Sequence, residues 1–549
     1  ISTMPLRAAP GWGGPPPADA TQEVARPQSA PLKVGSGFVS RVEPRSEVIR
    51  NVPSAAPLAP APKDIHRPDG VQVDVESRNL ALKYLDERRE DVVQRLSSFV
   101  GRPSCADNLE QLKSMAEFLC AELRSTGLSN VEALHSDAGA PVIFGELRPF
   151  VGARDDGLTV LLYAHYDVHP AGQESEWQSP PFQAQVRSGP GGQRLYGRGA
   201  CDGKAGIVAI LHALEACVRG GTGVPLHIKV LLDGGGESGS QHLPQCMAKH
   251  QELVSSDIAL LVATSNFDVG HPALTYSLRG LAGFNVEVRM LHESVHSGNA
   301  GAVTDANVAL CHLISSLHNS DGSVAVKTFY DGCRQLSKLE RDNMQQLQYT
   351  EARFRQELGV LSGVALVGSR DVAPLEKIWF RPALSVLGID TAPVAASCTR
   401  MLPRARARVL CRVAPQQRAD TVVDKVEAHL QAVRPFGCEV SVTREELIEP
   451  FTADPNSTAF QAVADAVKAG YNSKVALLGC GGTIPFVTTV AKTLPQWGVA
   501  VGLGLGDPHS NARGANESVA LDDLHKSCST IVHIFHSLST LAKPPTVNE

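Results

Sequence analysis

The stretch that decides the fold is residues 161–206, which opens with LLYAHYDVHP (161–170) and closes with RLYGRGACDGKAG (194–206). The apolar run Leu161, Leu162, Tyr163, Ala164 delivers His165 and Asp167 to the end of a strand. Asp202 follows a glycine-rich turn and precedes a helical run over 206–217. A His and two Asp at the ends of buried elements are costly unless they are paired with one another or bind a metal.

Around this core stand Trp177, the pair Pro181-Phe182, and LYGRG at 195–199. Together with AHYDVHP and DGKAG they resemble the carnosinase and aminoacylase family of co-catalytic zinc metallopeptidases, on the dipeptidase branch. The resemblance runs from about residue 75 to about residue 541. It implies a discontinuous zinc-peptidase-like α/β domain (75–271 and 452–545) with an inserted α+β lid and dimerisation domain (272–451). It also implies that His165 is a metal ligand, that Asp167 orients it in the catalytic centre, and that Asp202 bridges two metals. The chemistry agrees, because a ligating His is usually held by a carboxylate behind it.

Further motifs carry the resemblance and also depart from it. LLDGGGESGS (231–240) matches a position where relatives have two adjacent glutamates, a general base and a metal ligand. Here Glu237 takes the ligand position and Gly236 the base position; Asp233, three residues upstream, points elsewhere. In TSNFD (264–268) a ligating Asp is replaced by Ser265, and the register argues against Asp268 as its substitute. VHSG (295–298) makes His296 the residue that reaches a partner subunit's site and polarises the substrate carbonyl. Arg412, in RMLPRARARVLCRVAP (400–415), takes the place of an Arg that grips a substrate carboxylate with its bidentate fork. GCGGTIPF (479–486) resembles a substrate-contacting loop, with Gly482 and Thr483 at its centre. The last ligand in relatives is the His of HxxNE; here Asn516-Glu517 supply the NE and Arg513 stands at the His position. His509 serves only if the loop is rebuilt.

The rest of the chain sets bounds. A net charge of −6 over 549 residues gives no argument for nucleic acid, and the arginines of 404–408 read as a solvated strand face. No apolar stretch reaches the ~18 residues of a membrane span. The cysteines show no metal or small-scaffold spacing, which reads as reduced intracellular thiols. Residues 1–70 hold more than a third of the 36 prolines, with Ala, Gly and Ser between them. Such an arm buries too little to fold alone and orders only against something else, which points to a protein partner. The chain begins with Ile1; a processed terminus implies a mitochondrial location, and otherwise a cytoplasmic one is expected.

Each metal position has thus lost a ligand, at Ser265 and Arg513, and the base is lost at Gly236. The expectation is therefore a catalytically degenerate member acting as a structural or binding subunit, with no cofactor and with capacity for a small carboxylate ligand. The alternatives are zinc-dependent hydrolysis of a dipeptide or acyl-amino acid with replacement ligands and one or two Zn2+ per chain, and an acyl-transfer enzyme on the same fold.

Overall fold

The computed structural model describes residues 75–134, 139–150, 157–495 and 497–543. The proline-rich arm over 1–70, and the partner expected for it, lie outside the described residues.

The apolar runs become strands. In chain order they are β1 (Ser129–Leu134), β2 (Val142–Leu147), β3 (Thr159–His165), β4 (Gln185–Gly189), β5 (Gly192–Tyr196), β6 (His227–Asp233), β7 (Ile258–Ser265) and β8 (Ala273–Leu278). A second series comes next: β9 (Gly280–Arg289), β10 (Val295–His296), β11 (Ala383–Asp390), β12 (Arg400–Met401), β13 (Arg404–Val413) and β14 (Glu439–Ile448). The chain ends with β15 (Phe451–Thr452), β16 (Ala476–Cys480), β17 (Val499–Gly506) and β18 (Ser518–Ala520). Nine of these form one sheet, ordered β1-β2-β6-β3-β7-β17-β8-β15, with β16 on β8. Its centre, β6-β3-β7-β17, is parallel. These four strands are covered on both faces, which is why they read as near-continuous Val and Leu rather than as an alternation.

Parallel strands bring their C-terminal ends to one edge. That edge therefore collects the residues after His165, after Asp233, at Ser265 and after Gly506. The buried helix Lys204–Glu215 packs directly on the sheet. A Cβ on its Gly206 would come within 1.8 Å of the Val262 carbonyl, so glycine is required for this close approach. The closing helix Leu521–Ser539 packs against Lys204–Glu215 and against Thr458–Tyr471.

β9, β11, β13 and β14 form a separate antiparallel sheet, ordered β11-β13-β9-β14. It has its own core, in which Phe284, Val286 and Val409 meet Leu310, Val423 and Val426 of the helices Ala306–Ser315 and Ala419–Val433. The arginines of β13 alternate outward, and Arg406 and Arg408 pair with Asp390 and Glu445.

One boundary differs from the sequence reading. β8, expected to open the lid at 272, instead pairs with β16 and β17 in the large sheet, so the chain leaves that sheet only at Arg279. The first helical stretch is broken at Arg88, whose ψ of 31° is not helical, into Val75–Glu87 and Arg89–Val100. Lys338–Gln346 and Glu351–Glu357 are separate helices, because Gln348 adopts a left-handed φ of 48° and Thr350 caps a new start. Among the described residues no helix is long and apolar enough to cross a membrane, and all cysteines are free.

Candidate active site

His165 ends β3, and Asp167, two residues on, turns its ring. His165 Nδ1 lies 3.2 Å from Asp167 Oδ1 and 3.1 Å from the Asp167 carbonyl oxygen. Asp167 is fully buried and also accepts the backbone N–H groups of Gly236, at 3.0 Å, and Glu237, at 2.7 Å. One carboxylate thus fixes both the imidazole and the loop after β6. With Nδ1 committed, His165 Nε2 faces Asp202, 3.1 Å from Oδ1.

Asp202 is fixed in turn. Glu517 Oε1 accepts the N–H groups of Cys201 and Asp202, both at 2.9 Å. Glu517 Oε2 pairs with buried Arg198 at 2.6 Å, and Arg198 donates to the carbonyl of Arg513 at 2.9 Å. Arg513 Nε lies 3.1 Å from Asp202 Oδ2 and 2.9 Å from Glu237 Oε2. The Arg513 side chain is 58% exposed, whereas that of Glu237 is only 3% exposed. Glu237 Oε1 is buried with no hydrogen-bond partner among the described residues.

The electrostatics of the cluster reflect these contacts. Burial works against charge on Asp202, but its bonds to His165 and Arg513 outweigh it and hold the carboxyl below its ordinary value. Burial likewise opposes charge on His165, yet Asp167 and Asp202 raise its pKa well above the ordinary value. Glu237 is raised by burial and by its neighbour Asp202.

The structure therefore brings together His165, Asp167, Asp202, Glu237 and Arg513, with Gly236 in the same loop. It does not bring in the other candidates. His509 is exposed on a turn anchored by Asp507, whose carboxylate pairs with buried Arg194 at 2.9 Å. Asp268 is taken by Arg353 at 3.0 Å. His296 is exposed, accepts the N–H of Gly298 and has no bond to the cluster. Ser265 ends β7 with an exposed side chain. Asp233 is buried and accepts from Tyr163, Ser240 and the Gly235 N–H, so it is not an acceptor for the site.

Beside the cluster, Arg412 donates to the Thr483 hydroxyl at 3.2 Å, and that hydroxyl donates to the Arg279 carbonyl at 2.7 Å. Gly482 N–H points at Cys480 Sγ, 3.3 Å away. Arg279, Arg412 and Arg513 all act electrostatically on the Cys480 thiol. Among the described residues neither Arg279 nor Arg412 has a carboxylate partner, and burial lowers both, Arg279 to about 10. Two desolvated cations without a counter-charge suit an incoming anion. Sequence reasoning missed Arg279, Arg198 and the anchoring role of Glu517. The NE pair at 516–517 was the available signal for Glu517.

The cluster fits a metal in its chemistry. Among the described residues no three His, Cys, Asp or Glu form a ready-made cage; the Arg513 guanidinium stands among them. Even so, His165, Asp202 and Glu237 supply one imidazole and two carboxylates, donor types that zinc takes. The partnerless Glu237 Oε1 is an acceptor left for a cation.

Comparisons with known proteins give the family. The model of peptidase family M20/M25/M40 matches residues 161–537. The cysteinylglycine-S-conjugate dipeptidase of Corynebacterium striatum is 34% identical over 444 residues, covering 79% of this chain and 92% of that protein. The structure of an M20 family metallo-carboxypeptidase from Sulfolobus solfataricus superposes with a TM-score of 0.71 at 25% identity, covering 82% of this chain and 99% of the other. A dinuclear metal-binding peptidase of the same family from Bacillus subtilis shares the fold, with a TM-score of 0.53 at 10% identity and coverages of 82% and 98%. These findings overturn two expectations. A catalytically degenerate subunit is not what they indicate, since a relative this similar over nearly its whole length is a dipeptidase. The expectation of no cofactor fails with it, because the matched proteins of this family include a metallo-carboxypeptidase. With Ser265 and Arg513 where they stand, His165, Asp202 and Glu237 still converge.

Proposed function

We propose that this chain, which belongs to peptidase family M20/M25/M40, is a zinc-dependent dipeptidase that hydrolyses the amide bond of a dipeptide. The observation that carries the reading is the meeting of His165 Nε2, Asp202 and Glu237 beside the uncompensated pair Arg279 and Arg412. Its support is a 34% identical dipeptidase.

His165, Asp202 and Glu237 would hold the zinc. A bound zinc ion supplies Lewis acidity and a nucleophile made from water at neutral pH. Asp167 keeps the His165 ring turned so that Nε2, not Nδ1, faces the centre. Glu517 holds the backbone of Asp202, and through Arg198 that of Arg513. Arg412 takes the C-terminal carboxylate of the dipeptide, with Thr483 orienting its guanidinium and Gly482 leaving the loop open to the ligand. His296, exposed and free of its own site, serves the scissile carbonyl in a second copy of the chain within a homodimer. Gly236 provides no base, and a positioned base contributes roughly 10²–10⁴-fold. Turnover is therefore low, below the order of 10 per second typical of enzymes.

The test is hydrolysis of Cys-Gly, β-Ala-His and N-acetylated amino acids by the full chain, with zinc and after chelation, beside Asp202→Ala. Chelator-sensitive cleavage that Asp202→Ala abolishes is expected. Zinc-loaded protein that cleaves none of them above the variant's level would refute the reading.

A further inference from the structure

We infer that Arg513 is a built-in second cation, so that this chain holds one divalent metal where a dinuclear peptidase of the fold holds two. The inference rests on the metallopeptidase reading above.

Arg513 Nε spans Asp202 Oδ2, at 3.1 Å, and Glu237 Oε2, at 2.9 Å. The other two oxygens are not on the guanidinium. Asp202 Oδ1 faces His165 Nε2 at 3.1 Å. Glu237 Oε1 is buried and has no partner among the described residues. Each carboxylate is thus divided: one oxygen serves the fixed cation, while of the other two Asp202 Oδ1 is held against the imidazole and Glu237 Oε1 has no partner among the described residues. A single zinc would take His165 Nε2 and Asp202 Oδ1 in place of their mutual hydrogen bond, together with Glu237 Oε1, three protein atoms of the kinds zinc takes in sites that keep a position open.

The guanidinium cannot leave this role by losing its proton, because Arg stays charged in proteins. Its main chain is also pinned. Arg198 donates to the Arg513 carbonyl at 2.9 Å while paired with Glu517 at 2.6 Å. Glu517 in turn accepts the N–H of Asp202 at 2.9 Å, so the backbones that present Arg513 and Asp202 share one anchor. Arg513 holds a left-handed φ of 66°, and two hydrogen bonds, from Arg198 and to Asp202, with an ion pair to Glu237 fix its position. A dication directed at Asp202 Oδ2 and Glu237 Oε2 would have to displace a fixed positive charge and then remain beside it.

The experiment counts metal and does not depend on turnover. The full chain, stripped with a chelator and re-equilibrated with zinc ion alone, is measured for zinc per protein by mass spectrometry, alongside Arg513→Lys and Arg513→His. Wild type and Arg513→Lys are expected to hold one zinc, and Arg513→His two. Arg513→Asn, which tolerates positive φ, is the second variant should the His form not fold; it is also expected to gain the second ion. Two zinc ions in wild type, or one in a folded Arg513→His or Arg513→Asn, would overturn the inference. No zinc in wild type overturns it together with the metallopeptidase reading. One zinc with no peptide cleavage supports the cation count and refutes only the dipeptidase reading.

Discussion

A Cβ built on Gly236 would stand 2.7 Å from both Cβ and Cγ of His165. The glycine at the expected base position is therefore a packing requirement as well as a missing carboxylate. Gly236→Glu should not restore a base; it should push His165 off Asp167 and Asp202. Overpacking of this kind costs about 1–3 kcal/mol. Both Gly236→Ala and Gly236→Glu are expected to lower the melting temperature and the zinc content. A Gly236→Glu protein with unchanged stability and faster dipeptide cleavage would show that the loop is free to move away.

Asp167 should be the least replaceable residue of the site. It is fully buried and takes three bonds, from His165 and from the N–H groups of Gly236 and Glu237. Asp167→Ala leaves those groups unsatisfied, at about 1–3 kcal/mol each. Denaturant unfolding should show a loss of several kcal/mol, and zinc affinity should fall as well. Asp167→Asn keeps the volume but makes one side of the carboxyl a donor facing the loop N–H groups, so it should rescue stability only in part. A full rescue would argue against the double anchoring.

Arg412 should act on substrate binding through the carboxylate. A hydrogen bond to a charged group is worth about 1.5–3 kcal/mol, so Arg412→Ala should raise KM by roughly 10- to 100-fold with a smaller change in kcat. A dipeptide amide, lacking the carboxylate, should be a poor substrate for wild type and nearly indifferent to the mutation. An equal loss with both ligands would show that Arg412 acts structurally.

Acid should destabilise the fold through His212. This side chain is buried in the helix Lys204–Glu215, its Nε2 has no partner among the described residues, and burial, with Arg95 nearby, pushes its pKa down to about 4. The folded value lies below the unfolded value of about 6.5. The unfolded chain therefore binds the proton first, so stability is complete above about pH 6.5 and falls as pH drops toward 4. The slope should approach 1.4 kcal/mol per pH unit for this residue. His212→Gln should flatten the decline between pH 6.5 and 4, as measured by urea unfolding; an unaltered slope would assign the acid sensitivity elsewhere.

The fold class and the main site residues were legible in the amino-acid sequence, because both depend on local pattern. Doubly covered parallel strands must be continuous apolar runs, and the polar residues at or just after their C-terminal ends, His165 and Glu237, stand out against them, as does Asp202 in the glycine-rich turn before the helix Lys204–Glu215. Arg513 and Ser265 were also legible as departures from that pattern. What the departures mean emerged only from the folded chain. That Arg513 occupies one oxygen of each carboxylate and leaves Glu237 Oε1 free depends on side-chain placement across residues 202, 237 and 513, which no spacing encodes. The same holds for Gly236, read in the sequence as a lost base, since only the packed loop puts it against His165. β8 is a further case: its run suited a lid strand, but which sheet accepts it was settled by pairing with β16 and β17, distant in the chain. Local pattern sets which segments can be strands, and long-range contacts choose their neighbours.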